Sequence, residues 1–177
     1  MIVLIVFLSF MILVALSRLT GRPTSVILLE YQRAVLYRRG LPVREVGPGR
    51  HWVWTGSEKL MIVDTRPIQV SYENQRVALA DGSTAEYSIS GTARVQGARK
   101  ASYCARNYNQ LPGFVLICCA RLTLNGFTAN QLRVGKDHVV EEIINRAKPR
   151  LAAAGFELLA FRISQLSVAG GTPRAPQ

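Results

Sequence analysis

The sequence opens with an uncharged, almost wholly apolar run, Met1 to Ser17, which Arg18 ends. An α-helix rises about 1.5 Å per residue, so the run is about 25 Å long, close to the thickness of a bilayer core of about 30 Å. The long side chain of Arg18 can reach the headgroup layer. The pattern predicts a transmembrane anchor over residues 1–17. Its lipid-facing side chains are Ile2, Leu4, Ile5, Phe7, Leu8, Phe10, Ile12, Leu13 and Leu16.

A cleaved signal peptide is the alternative interpretation of this run. A signal peptide begins with basic residues, and none precedes the apolar run here. A retained single-pass anchor is therefore favoured. The alternative would make the rest of the chain an extracytoplasmic binding domain.

Basic residues follow the anchor, and they predict its orientation. Between residues 18 and 50 the only acidic residues are Glu30 and Glu45. The basic residues there are seven arginines: Arg18, Arg22, Arg33, Arg38, Arg39, Arg44 and Arg50. Basic flanks remain on the cytoplasmic side, and anionic lipid attracts them. We expect the N-terminus outside and the rest of the chain cytoplasmic. Residues 18–25 then form a basic juxtamembrane linker, in which Arg18 and Arg22 are the basic residues.

Short apolar runs beyond the linker predict a strand-rich half. The predicted strands are Val26–Leu29, Ala34–Tyr37, His51–Trp54 and Leu60–Val63, and the glycines and prolines between residues 40 and 49 indicate a loop. Asp81-Gly82 predicts a two-residue hairpin turn in which both residues have positive φ. After it, Ala85, Tyr87, Ile89, Ala93 and Val95 alternate with polar residues, which is typical of a half-buried antiparallel strand.

The hydrophobic period then changes to that of helices. We expect a short helix over Ala98–Arg106, a buried helix around Phe114–Ala120, and a third helix between an N-cap at Asp137 and Gly155. Pro149 should kink the third helix or disturb its last turn. A final strand follows at Leu159–Ile163, and residues 169–177 read as a flexible tail. These elements predict an α+β fold: one domain over residues 26–168, with a mainly antiparallel sheet and packed helices.

The net charge and the reactive side chains indicate which partners and which kinds of activity to expect. The net charge of +11 raises nucleic acid as a partner, but the arginines are dispersed and no nucleic-acid motif occurs, so the lipid bilayer is the expected partner. Cys104, Cys118 and Cys119 are expected as reduced thiols of a cytosolic domain, with acylation of one as an alternative to burial. His51 and His138 match no metal site, and no catalytic or cofactor-binding motif occurs. We therefore expect a non-enzymatic protein without metal or cofactor.

Three further pairs have structural interpretations. Glu141 and Glu142 are expected on a helix surface. Asp64 and Arg66 should lie on the same side of a strand and hold the loop before Pro67 by an ion pair or hydrogen bond. Trp52 and Trp54 share one strand face; core packing is favoured over docking at the membrane interface, where indole rings are enriched.

The order of several short motifs resembles that of the SPFH (band 7) domain of stomatin- and prohibitin-like proteins. The strand pair Val26–Val35 resembles the opening of that domain, and Gly155–Ile163 with Val168 resembles its final strand. The remaining motif residues, to which the resemblance gives structural roles, are Gly47, Pro48 and Gly49 of the "PG" turn, Asp64 and Arg66 of "VDxR", and Asp81 and Gly82 of "kDG".

The resemblance implies a membrane-tethered scaffold that self-associates, orders lipids and often regulates a neighbouring membrane protease or channel. Family members usually continue into a long charged coiled-coil helix that drives assembly, and no heptad pattern follows Val168 here. The alternative expectation is an adaptor that binds a membrane protease or channel without forming a large oligomer.

Overall fold

The computed structural model describes residues 6–7, 9–12, 22–104 and 107–169, and the chain divides into two compact units between Asp64 and Thr65. In the first unit, β1 (Pro23–Leu28) pairs antiparallel with β4 (Gly49–Trp54). A second, three-stranded antiparallel sheet has the order β3-β2-β5. Its strands are β2 (Gln32–Arg38), β3 (Leu41–Val46) and β5 (Glu58–Asp64).

Alternating side chains of these strands form the core of the first unit. The buried cluster contains Leu28, Ala34, Leu36, Val46 and Val53. Because successive residues of a strand face opposite sides, the neighbours of Leu28 and Val53 point away from this cluster. The predicted strands at β1, β2, β4 and β5 are confirmed.

The predicted loop between residues 40 and 49 is wrong in part, since β3 occupies Leu41–Val46. Pro42 weakened the strand pattern, because proline cannot donate to a ladder hydrogen bond. It is tolerated here since β3 is at the edge of its sheet, and the register of β2 with β3 shifts beside Tyr37, the partner of Pro42.

The second unit contains a three-stranded antiparallel sheet of order β6-β7-β8, with helices packed on it. Its strands are β6 (Ile68–Ala78), β7 (Thr84–Val95) and β8 (Phe156–Ala169). Its helices are α1 (Ala98–Cys104), a 3₁₀ turn (Tyr108–Gln110), α2 (Leu111–Leu124), α3 (Ala129–Val134) and α4 (Lys136–Ala153). The predicted α+β fold with mainly antiparallel sheets and packed helices is confirmed.

One face of β7 forms the centre of this second core. Its predicted apolar residues are all buried: Ala85, Tyr87, Ile89, Ala93 and Val95. Helix α2 approaches the sheet closely at Gly113, where a Cβ atom would lie 2.4 Å from Val70 Cγ1. Helix α4 adds buried side chains at helical spacing, namely Val139, Ile143, Ala147 and Leu151.

The predicted hairpin at Asp81-Gly82 is present, but its turn differs from the two-residue form. The Gly82 N–H donates to the Leu79 carbonyl at 3.1 Å, and only Gly82 has positive φ, at 79°. A turn closed by a left-handed glycine belongs to the three-residue class of hairpin loops. Asp81 has no positive φ, and its carboxylate accepts hydrogen bonds from the Ser83 and Ala129 N–H groups, at 3.0 and 2.8 Å.

The helix boundaries differ from the expectations at two points. Helix α3 was not predicted, although Thr128 and Gln131 form a capping pair in which the Thr128 N–H donates to Gln131 Oε1 at 2.9 Å. Helix α3 ends at Val134, and the next residue, Gly135, is the N-cap of α4, so Asp137 lies in the first turn of α4 instead. The helix includes Pro149 and runs to Ala153, and the kink or irregular last turn expected at Pro149 stays a prediction. Helix α1 is described as far as Cys104, and residues 105–106, to which it was expected to extend, lie outside the described part.

The helix predicted around Phe114–Ala120 is present as α2, but the expectation that it is buried is wrong for one of its sides. Phe114 is 64% exposed and Leu122 is 55% exposed. Their apolar character could not show this, since an apolar run carries no information about which side faces solvent.

Most of the predicted membrane anchor lies outside the described residues, as do Arg18 and the tail from residue 170 onward. The described part, residues 6–7 and 9–12, is helical, and Phe7, Phe10 and Ile12 are exposed there. Among the residues that the structure describes, no helix has the length and apolarity needed to span a bilayer. The transmembrane anchor stays a prediction.

We predict that Gly155→Ala destabilises the second unit by about 2 kcal/mol or more. Gly155 has a φ of 83° just after α4, and an added Cβ would lie 2.6 Å from the Gly97 carbonyl oxygen. The Gln96 and Gly97 N–H groups also donate to the Gly155 carbonyl, so movement here would disturb two backbone hydrogen bonds. Thermal unfolding of the purified chain would measure the loss.

The matched control is Gly126→Ala, where the nearest atom to an added Cβ is 3.4 Å away and no positive φ is needed. Equal melting temperatures for the two variants would contradict the argument from backbone strain.

Candidate functional site

The outward face of the β1–β4 sheet is the strongest candidate site in the first unit. Antiparallel register places Pro23 opposite Trp54, Ser25 opposite Trp52, and Ile27 opposite Arg50. Directly paired residues share a face, and so do residues two apart on one strand. We call this set the β1–β4 outer face: Pro23, Ser25, Ile27, Arg50, Trp52 and Trp54.

The large side chains of this face are exposed. Ile27 is 65% exposed, Trp52 60% and Trp54 48%, whereas Val53 between the tryptophans is 5% exposed. The favoured prediction of core packing for the tryptophans is therefore wrong. Val53 takes the inward position, and the period of two then forces both of its neighbours outward.

Arg50 gives the face a positive charge beside an aromatic ring. Its guanidinium carbon lies 5.9 Å from the centroid of the Trp52 ring, within the range of a cation–π contact. Tryptophan and arginine suit the headgroup layer of a membrane, since each combines an apolar body with a polar tip.

Hydrogen bonds connect the start of β1 to the end of β4. The Arg22 carbonyl accepts hydrogen bonds from Thr55, from its N–H at 3.2 Å and from its hydroxyl. Arg22, predicted as a basic juxtamembrane residue, thus joins the start of β1 to the end of β4. The outer face begins one residue later, at Pro23.

Glu58, the first residue of β5, stabilises the same end of the strand pair. Its carboxylate accepts hydrogen bonds from Arg38 Nη2 at 2.6 Å and from the Trp54 N–H at 3.1 Å, and its side chain is only 4% exposed. The Arg38 side-chain hydrogen bond, followed by that from Trp54, holds the pKa of the Glu58 carboxyl below its ordinary value. This carboxylate therefore links the backbone of Trp54 to β2.

The motif residues have structural positions. Gly49 opens β4 with a φ of 122°, which only glycine adopts readily, and the His51 ring nitrogen Nε2 lies 2.8 Å from the Gly47 carbonyl oxygen. Together with Pro48 these residues form the turn into the tryptophan strand.

The prediction that Asp64 and Arg66 share a strand face is wrong. Strand β5 ends at Asp64, and Arg66 lies in the connection before β6. Pro67 favours a break in the strand pairing here, because it lacks the N–H that a ladder hydrogen bond needs.

The other candidate residues are scattered. His138 packs edge-on against the Phe127 ring with centroids 6.3 Å apart, and Glu142 pairs with Arg146 across one helical turn at 2.9 Å. Cys104 is exposed, Cys118 half-buried and Cys119 buried, and all are free thiols. Within the described ranges, no cluster of three or more His, Cys, Asp or Glu side chains could hold a metal ion.

Sequence reasoning missed Ile27 and Arg50 as members of the outer face. The alternation in His51–Trp54 could have shown that the tryptophans face away from Val53. No local signal pairs β1 with β4, because 20 residues separate Leu28 from Gly49 and two other strands intervene.

The fold and the outer face define an α+β domain with antiparallel sheets and an exposed aromatic and basic strand surface. Residues 26–171 match the family described as SPFH domain / Band 7 family, so the chain belongs to this family. Proteins of this family are in general membrane-associated scaffolds and not enzymes. A search of curated proteins found no match.

We predict that Glu58→Gln lowers the melting temperature at neutral pH. The folded-state pKa of Glu58 lies below its unfolded value, so ionised Glu58 stabilises the fold above the unfolded pKa. That contribution disappears as the pH falls through the lowered folded value. The difference between wild type and variant should therefore shrink below about pH 4, and thermal unfolding between pH 7 and pH 3 would show it.

Glu30→Gln is the control, because it removes the same charge from the exposed turn after β1. A Glu58→Gln difference that stays constant across this pH range would contradict the assignment.

Proposed function

We propose that the protein is a non-enzymatic, membrane-anchored scaffold whose β1–β4 outer face rests on the headgroup layer of the cytoplasmic leaflet. The observation that carries the proposal is the exposure of Trp52 and Trp54 on one face with Ile27 and Arg50. Membership of the SPFH family supports the scaffold class.

The position of this face along the chain supports contact with the membrane. The apolar run ends at Ser17, and β1 begins at Pro23. An extended chain spans at most about 3.6 Å per residue, so the start of the face lies within about 20 Å of the anchor's end. Arg18, Arg22 and Arg50 add charge that anionic lipid attracts.

An indole ring and an arginine together also fit an interface better than a bilayer interior. Burial of a charged guanidinium in hydrocarbon is unfavourable, whereas at the headgroups it binds phosphate and the indole ring remains half immersed. The expected position is therefore shallow, with the strands lying along the surface.

We predict that the tryptophan fluorescence of the protein, reconstituted in anionic vesicles, is quenched most by lipids brominated near the headgroup end of the acyl chain. Trp52 and Trp54 are the only tryptophans, so the signal reports on this face alone. Quenching should fall as the bromines move toward the bilayer centre. Acrylamide should quench the tryptophan fluorescence of the protein in vesicles only weakly. It should quench the fluorescence of the soluble fragment, released from the anchor by proteolysis and free of detergent, more strongly.

Trp52→Phe and Trp54→Phe, each made alone, show which indole contributes. A third variant, Arg50→Gln, should weaken the preference for anionic over zwitterionic vesicles. Full acrylamide quenching in vesicles together with no bromine quenching would contradict the placement of this face on lipid.

The anchor and its orientation have a separate test in intact cells. We predict that the full-length protein stays in the membrane fraction after alkaline washing, retains Met1–Ser17, and is resistant to protease added outside the cells. N-terminal sequencing that starts near residue 18 would instead support a cleaved signal peptide. Digestion of residues 26–168 by external protease would contradict the cytoplasmic orientation.

A further inference from the structure

The outward side of α2 carries a row of exposed apolar side chains. Phe114, Ile117, Cys118, Arg121 and Leu122 follow one another at the spacing i, i+3, i+4, i+7 and i+8, so they lie on one side of the helix. Phe114 is 64% exposed and Leu122 55%, while Ile117 and Cys118 are half-buried. We call these five residues the α2 stripe.

The opposite side of the same helix is the one that packs into the core. Its buried residues are Pro112, Gly113, Leu116, Cys119, Ala120, Thr123 and Leu124. A surface helix normally has a polar outer side, and a helix that is apolar all round is typically covered on all sides. The only charged residue of α2 is Arg121.

A groove continues the stripe at the N-terminal end of α2. It has a volume of about 430 Å³ and is lined by Tyr72, Asn107, Gln110, Leu111 and Phe114. Phe114 belongs to both the groove and the stripe, so the two form one elongated surface. The amides of Asn107 and Gln110 could hydrogen-bond the end of a segment lying along it.

The charge of the stripe indicates the kind of partner. Arg121 forms no ion pair with a carboxylate in the part of the chain that the structure describes. It lies near the Tyr87 hydroxyl, where it partly opposes the increase that burial causes in the Tyr87 pKa. A second copy packed stripe against stripe would place another Arg121 in the contact, whereas an acidic partner would compensate Arg121.

We propose that the α2 stripe and its groove bind an amphipathic helix of another protein, with apolar residues against Phe114 and Leu122 and a carboxylate against Arg121. Three or four apolar side chains at helical spacing on the partner would match the length of α2. The proposal concerns the second unit and does not depend on whether the first unit contacts lipid.

The test uses the full chain in nanodiscs and two lactam-bridged helical peptides of about 14 residues, about the length of α2. Both carry leucines at i, i+3, i+7 and i+11 on a glutamine background. One has glutamate in the centre of the leucine face and the other has lysine there. We expect the glutamate peptide to bind at least tenfold more tightly, and Arg121→Glu to reverse this preference.

Two variants test the apolar contacts, and the reactivity of Cys118 tests where the peptide binds. Phe114→Ser and Leu122→Ser should each weaken binding of the glutamate peptide at least fivefold. Val134→Ser should not, although Val134 is 88% exposed in α3. Bound peptide should slow alkylation of Cys118, on the stripe, and leave that of exposed Cys104 unchanged.

Other occupants of the surface would give different results, each of which overturns the proposal. If a second copy covers the stripe, Phe114→Ser will reduce the oligomer mass and neither peptide will bind. If lipid covers it, added vesicles will protect Cys118 while the peptides do not. Equal binding of both peptides to wild type and to Arg121→Glu would show nonspecific adsorption. Incorporation into nanodiscs reports membrane attachment separately, so failure here leaves the proposed function intact.

Discussion

The antiparallel pairing of β1 with β4 is the constraint on which the character of the first unit depends. Leu28 and Val53 enter the buried cluster, and the alternation of strand side chains then sends Ile27, Trp52 and Trp54 to the outside. A register shift of one residue on either strand would exchange the two faces. Burial of the aliphatic side chains therefore determines where the indole rings lie, although the indoles are the larger apolar groups.

Polar contacts at the Pro23–Trp54 end of the strand pair support this register. Thr55 donates to the Arg22 carbonyl, and the Glu58 carboxylate receives Arg38 and the Trp54 N–H. These bonds lie at one end of the outer face, beside Pro23 and Trp54. The result is an exposed apolar and basic surface on this pair of strands, which suits the proposed contact with a layer of headgroups.

In the second unit a helix packs against a sheet, and here too an apolar surface stays exposed. Gly113 allows α2 to approach Val70 and Tyr72 closely, so the small and aliphatic residues of the helix face the sheet. Phe114 then projects outward, because the side chain after Gly113 is rotated about 100° around the helix axis. The rotation between successive residues of α2 therefore places Gly113 against the sheet and Phe114 on the exposed side.

The sequence by itself determined the strands with strict alternation, the hairpin before β7, the positions of α2 and α4, and the glycine that ends α4. These features depend on contacts within a few residues or on a strong period. Only the tertiary structure decided that Leu41–Val46 is an edge strand despite Pro42, that Gly135 and not Asp137 caps α4, and which side of β4 and of α2 is covered. The physical reason is that apolar residues show a need for burial but not its direction, and long-range pairing supplies the direction.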